Sequence, residues 1–263
     1  VVLSETAGRG TVVAFVGQPH VLNAQERGAQ VLKALTEIGW ADYYQAETKG
    51  WVLYLESSSD LEILRSFAAL LGHEAAGALE RPFVLYVCNN PARARQHFYG
   101  LREGKPDLAG LALFDRLEGE SRLHEDSPLS ETMWRRREIK NYFCIEQVLL
   151  RYAIHDLPDD LFGAHHRAER EDAMRRAIAE VGEALRTLGR PGPWSPDVKA
   201  TDEFMDPLFR KFFSALKLPV LLGKNKYHTL VQFMPKQAID PEVREKLDLI
   251  AQTAARAKPA EPV

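Results

Sequence analysis

The stretch Trp51-Val-Leu-Tyr-Leu-Glu56-Ser-Ser-Ser-Asp60-Leu-Glu-Ile-Leu-Arg-Ser-Phe-Ala-Ala-Leu-Leu71 decides the reading of this chain. Residues 51–55 form a short apolar run with β-branched and aromatic side chains, the pattern of a buried strand, and the run stops on the carboxylate of Glu56. From Ser59 onward apolar residues recur at helical spacing (Leu61, Leu64, Phe67, Ala68, Leu71), and Glu62 stands where the second half of a capping box belongs. Glu56 is therefore expected at the carboxyl end of a strand, and Asp60 in the first turn of the helix that follows. Ligands of open α/β sheets bind at that edge. Two acids presented there suit a hard divalent cation, which takes oxygen ligands.

Strands and helices alternate on both sides of this stretch. Residues 11–16 read as a strand and Ala24–Ile38 as a helix ended by Gly39. Downstream, Pro82–Val87 reads as a strand, Pro91 opens a helix running to Gly104, and Leu108–Phe114 is a further apolar strand that ends in Asp115-Arg116-Leu117-Glu118. One strand ending on an acid is common, because Asp forms turns and caps helices. Two such ends, separated by a strand–helix unit, favour a metal site. The alternation predicts an α/β fold, a mostly parallel sheet flanked by helices and joined by right-handed crossovers. Residues 116–132, acidic, Ser-rich and without a period, read as a long loop beside the site.

The rest of the chain reads as helical. Trp134–Tyr152 is expected to be one helix whose first turns carry Arg135, Arg136, Arg137, Glu138 and Lys140. A polar connector covers residues 155–164, and a charged helix spans 168–188 before Gly189-Arg-Pro-Gly-Pro-Trp194 breaks it. Asp206-Pro207 opens a short helix to Leu216, and Asp240-Pro241 opens a last amphipathic one.

Composition excludes several classes. With 45% hydrophobic and 27% charged residues in 263, the chain falls among soluble globular proteins. No apolar run reaches the roughly 18 residues of a membrane span. No signal peptide opens the chain, and two cysteines, Cys88 and Cys144, make neither a disulfide framework nor a zinc site, so a cytoplasmic location is expected. A net charge of −3 argues against a uniformly basic surface. It remains compatible with nucleic acid, because local basic patches make phosphate contacts while a carboxylate centre lowers the total.

Leu55-Glu56-Ser-Ser-Ser-Asp60 and Phe114-Asp115-Arg116-Leu117 resemble the two acidic motifs of a Toprim domain, the catalytic module of topoisomerases, primases and some nucleases. Arg136-Arg-Glu138-Ile-Lys140-Asn-Tyr142 and Lys224-Asn-Lys226-Tyr-His228 resemble the later motifs of the OLD (overcoming lysogenization defect) family. Its members join an amino-terminal ABC-type ATPase to a carboxy-terminal Toprim nuclease. The resemblance implies a Toprim-like core over residues 25–145 and 218–256, with a lead-in at 1–24, a helical domain at 146–217 and a frayed tail at 257–263. No Gly-x-x-x-x-Gly-Lys-Ser/Thr loop occurs, and Val1 follows no methionine, so the expectation is the nuclease part of a larger ATPase–nuclease. The implied partners are DNA, the ATPase domain of the same polypeptide, and further copies joined through that absent half.

Hydrolysis of a phosphodiester requires an activated water, relief of charge on the non-bridging oxygens and stabilisation of the leaving 3′ oxygen. Two divalent ions about 4 Å apart supply all three. On the resemblance these are Mg²⁺ or Mn²⁺, two per site, with Glu56 and Asp115 on the first or shared ion and Asp60 and Glu138 on the second. Glu118 is a further candidate, because Leu117 breaks the usual Asp-x-Asp and Lys140 stands where a second Glu belongs. Lys224 is the implied transition-state cation, and Arg135, Arg136, Arg137 and Lys226 are candidates for DNA contact. A topoisomerase needs a tyrosine nucleophile and large gate domains, whereas Tyr142 and Tyr227 sit in apolar settings and the length leaves no room for gates. A primase needs nucleotide-binding and zinc elements that are missing. The competing readings are a catalytically weak Toprim module that binds DNA or partners without cleaving, and a phosphatase or phosphotransferase acting on a small molecule. Nothing resembles a helix that reads bases in the major groove.

Overall fold

The structure, a computed structural model, describes residues 13–14, 20–21, 38–119, 123–124, 128–158 and 160–260. The helix expected at 24–38 lies, but for its last residue, outside them. In chain order the elements are β1 (Val13–Ala14), β2 (His20–Val21), α1 (Trp40–Lys49), β3 (Trp51–Leu55), α2 (Ser58–Leu71), α3 (Ala75–Glu80), β4 (Val84–Tyr86), α4 (Pro91–Gly104), β5 (Ala109–Phe114) and β6 (Leu129–Met133). A 3₁₀ turn (Ile139–Tyr142), α5 (Glu146–Ile154), α6 (Leu161–Thr187), a π turn (Ala200–Met205), α7 (Asp206–Ala215), 3₁₀ segments (Lys224–Phe233, Lys236–Ala238) and α8 (Pro241–Ala255) follow. The described residues divide into two compact units, one within 1–57, 77–133 and 247–263, the other within 58–76 and 134–246. These lines differ from the domain limits read from the sequence. Among the described residues no helix is long and apolar enough to cross a membrane.

The first unit holds an all-parallel sheet in the order β4-β3-β5-β6, besides the short antiparallel ribbon of β1 and β2. The α/β class and the parallel sheet agree with the expectation. Every residue of β3 and β5 is buried, which is why both read as unbroken apolar runs. Gly50 turns the chain from α1 into β3: its φ is +68°, its N–H donates to the Ala46 carbonyl, and a Cβ there would lie 2.6 Å from the backbone of Lys258. One face of the sheet packs Val52, Tyr54, Ala112 and Phe114 against Tyr43 and Ala46 of α1 and Phe98 and Leu101 of α4. Tyr54, wholly buried, shares a hydrogen bond of 2.8 Å with His97 Nδ1, whose Nε2 lies 3.2 Å from Asp42. Burial above all, and then the charge of Asp42, push the Tyr54 hydroxyl well above its ordinary value.

Two elements of this unit depart from the sequence reading. The stretch 40–49, to which no element was assigned, forms α1. Residues 116–132, read as loop, contain most of β6, paired in parallel with β5 (Gly110 beside Leu129, Phe114 beside Met133). Leu-Ser-Glu-Thr-Met alternates because β6 is an edge strand. Its Glu131, 1% exposed, is held by Arg95 of α4 through two 2.6 Å bonds, and by the His124 N–H at 2.9 Å. A polar residue thus occupies a core position through a partner that lies far away in sequence.

In the second unit α2 packs along the 3₁₀ segment Lys224–Phe233, and α6 packs against α5 and α7. Aromatic contacts Tyr152–Phe209 and Phe209–Tyr227 join these elements, with ring centroids 5.4 and 5.6 Å apart. Helix α2 begins at Ser58, so Ser59 lies within the first turn; Glu62 pairs with Arg65 at 2.6 Å. The single helix expected over Trp134–Tyr152 is instead an irregular segment, a 3₁₀ turn and α5. Local bonds compete with helix there: Tyr142 OH accepts from the Arg136 N–H at 3.2 Å and Asn141 Oδ1 from the Glu138 N–H at 3.0 Å. Helix α6 starts at Leu161, capped by Asp160, which shortens the expected connector. Within the expected core stretch 218–256, residues 218–236 contain no strand and fold mostly as 3₁₀ turns. Helices 91–104 and 241–255 and the short helix from Asp206 stand where they were expected.

Arg95→Met should lower stability by about 2–3 kcal/mol, because it leaves Glu131 buried with one remaining donor. The value sits below the usual cost of orphaning a buried charge because Arg95 is 34% exposed. A urea-unfolding free energy that changes by less than about 0.5 kcal/mol would show that the pair does not hold β6.

Candidate metal centre

Parallel strands end at a common edge. Glu56 follows the last residue of β3 and Asp115 the last residue of β5, and β3 and β5 are direct neighbours. Adjacent strands lie about 4.8 Å apart. The register, Tyr54 beside Ala112, puts Asp115 one residue further along the edge than Glu56. Both acids sit at bends where the chain leaves the sheet, and both are half-buried. The Glu56 carboxylate has no hydrogen-bond or ion-pair partner among the described residues. Glu118 lies on the exposed loop beyond Asp115.

The third strand end at this edge carries a feature the sequence did not signal. Cys88, whose N–H donates to the Glu56 carbonyl at 3.3 Å, and Asn89 both adopt left-handed backbone (φ 51° and 57°). Such residues cost of order 1–3 kcal/mol each in a non-glycine. The turn delivers Asn90, whose Oδ1 accepts from the Arg93 N–H and caps α4.

The other candidates belong to the second unit. Asp60 is buried in the first turn of α2 and accepts from Lys140 Nζ at 2.5 Å. Glu138, also buried, accepts from the Thr201 N–H, tying the 3₁₀ turn at Ile139 to the π turn at Ala200. Burial first, and the charge of Glu138 second, push the Cys144 thiol well above its ordinary value. Arg135 pairs with Glu245 at 2.7 Å but stays 68% exposed. Arg136 reaches Asp240 at 3.0 Å and lies over the Tyr142 ring. The Arg137 N–H donates to the Pro196 carbonyl at 2.7 Å. Tyr142 bonds Glu242, and burial together with that bond raises its hydroxyl well above the usual range. Lys224 is exposed and bonded to Asp202, with Asp206 at 3.3 Å. The Asp202 bond is the main cause that raises the Lys224 ammonium above its ordinary value. Lys226 is exposed.

Of the five expected metal ligands, then, Glu56 and Asp115 share one sheet edge, while Asp60 and Glu138 are bonded to Lys140 and Thr201. Among the described residues no three His, Cys, Asp or Glu side chains form a metal-holding group. Two carboxylates fit a single hard ion that keeps several waters; they do not by themselves make a two-ion centre. The Lys140–Asp60 pair was not foreseen. The available signal was a lysine set among the apolar residues Ile139, Tyr142 and Phe143, where an exposed side chain is out of place.

Scans of protein-family models, of curated proteins and of solved structures each return no match to this chain.

Lys224→Ala should change stability by less than about 1 kcal/mol, since exposed ion pairs contribute little. Glu138→Ala, which strips a buried N–H of its acceptor, should cost about 1–3 kcal/mol. Thermal unfolding of both variants distinguishes the two; equal losses would contradict the assignment of Glu138 as structural.

Proposed function

We propose that this protein is a divalent-metal-dependent DNA endonuclease of the Toprim type, the catalytic part of an OLD-family ATPase–nuclease working in the cytoplasm. The observation that carries the reading is the placement of Glu56 and Asp115 at the ends of adjacent parallel strands on one edge of a buried sheet. Hard oxygen donors at that edge match Mg²⁺ or Mn²⁺. A bound ion would supply an acidified water and charge relief on the phosphate.

The chain's own residues have separable tasks. Glu56 and Asp115 would hold the ion on a rigid frame, because each follows directly from a strand that is buried along its whole length. Lys224, exposed in the second unit and paired there with Asp202 and Asp206, is a candidate for contact with the DNA backbone. Arg135, 68% exposed, and Lys226 are assigned to backbone contact along the DNA. The ATPase domain and oligomerisation belong to the same reading, through the longer polypeptide.

One observation favours the second reading, a Toprim module that binds without cleaving: Asp60 and Glu138 are already bonded to protein groups. Incubation with supercoiled plasmid and Mg²⁺, Mn²⁺ or Ca²⁺ decides between them. Nicked or linear product that requires metal, and falls at least about 100-fold in Glu56→Ala and Asp115→Ala, is expected. Cleavage that persists in Glu56→Ala would place the chemistry elsewhere. A folded wild type that binds DNA and never cuts it would favour the binding module.

A further inference from the structure

Asp60 and Lys140 lie eighty positions apart in the chain and form an ion pair of which neither side chain is more than 7% exposed. A carboxylate taken this far out of water needs a compensating cation close by. Here the protein supplies one of its own. We propose that Lys140 is a built-in cation that removes Asp60 from the metal-ligand set, so that the protein binds one divalent ion through Glu56 and Asp115 and none through Asp60. This rests on the metal-dependent reading above and narrows it to a single-ion centre.

Three features of the second unit support the assignment. An ammonium is a compact point charge with three donors, the side-chain group closest to a small cation in its demands on a carboxylate. Asp60 also sits in the first turn of α2, whose dipole favours a negative charge, and Ser59 Oγ approaches its Oδ1 at 3.4 Å. Its charge is thus balanced without a metal. Lys140 in turn is carried by a short turn that is fastened at both sides: Asn141 accepts from the Glu138 N–H and donates to the Val198 carbonyl, each at 3.0 Å. A divalent ion at Asp60 would have to displace the ammonium while leaving it buried beside the ion, two like charges in one place. Glu138, the other acid expected to hold a second ion, is likewise bonded to a backbone N–H.

The test is metal stoichiometry without DNA, by calorimetric titration of the metal-free protein with Mn²⁺ and by the loss of the free-Mn²⁺ paramagnetic resonance signal. The wild type should bind one ion, and Glu56→Ala should bind it at least about tenfold more weakly. Asp60→Asn, which keeps an acceptor for Lys140, should leave stoichiometry and affinity unchanged. Lys140→Glu, which sets a second carboxylate against Asp60, should bind one ion more than the wild type. Lys140→Met serves with the same readout if that variant does not fold. Two ions in the wild type, an ion lost in Asp60→Asn, or no added ion in either Lys140 variant would overturn the proposal. If the wild type takes up no ion while Lys140→Glu takes up one, the nuclease reading fails and the role of Lys140 stands.

Discussion

Parallel strands cannot be joined by a tight turn. Each of the pairings β3 with β4, β3 with β5 and β5 with β6 must be reached through a crossover of a dozen or more residues. That constraint shapes the first unit. It places α4 between β4 and β5, and it leaves β3 and β5 central and buried on both faces while β4 and β6 form the edges. It also brings the carboxyl ends of all strands to one side. Glu56 and Asp115 thereby come to one edge of the sheet although almost sixty residues separate them, each placed by the end of its own strand.

The acids of this protein fall into two kinds, and the distinction governs what they can do. At the sheet edge Glu56 and Asp115 are half-buried, at bends where the chain leaves the strands, and Asp115 also engages other groups of the protein. In the second unit Asp60, Glu138 and Glu242 are buried and answered by Lys140, the Thr201 N–H and Tyr142. In the first unit Glu131 is answered by Arg95. A buried acid held by protein donors ties structure together, because removing its donor leaves a charge poorly stabilised in a poor dielectric. An acid that keeps access to water retains the capacity to bind an exchangeable cation. The chemistry proposed for this chain therefore rests on the first kind.

How far the sequence could be read depended on where each element's partners lie. Trp51–Leu55 and Ala109–Phe114 were legible as strands because burial on both faces makes a strand uniformly apolar. Pro91–Gly104 was legible because Asn90 and Pro91 mark a helix start by local chemistry. Leu129–Met133 was not legible: at an edge, half of its residues face a polar environment, and Glu131 becomes a core residue only once Arg95 arrives from α4. The segment from Trp134 to Tyr142 carries apolar residues at helical spacing, yet Tyr142 and Asn141 bond the backbone of their own segment and hold it out of a helix.

The same division runs through the site. From the sequence alone came the α/β class, the two acidic strand ends and the amphipathic helices, all of which depend on hydrophobic periodicity and short-range capping within some twenty residues. Only the tertiary structure decided which acids share an edge and which are already paired. Asp60 reads as a ligand candidate in its own motif and as a salt-bridge partner once Lys140, distant in the chain, is folded against it. Periodicity reports which face of an element is buried; it carries no information about which charge will be buried opposite, and that opposing charge determines whether a carboxylate remains available to a metal.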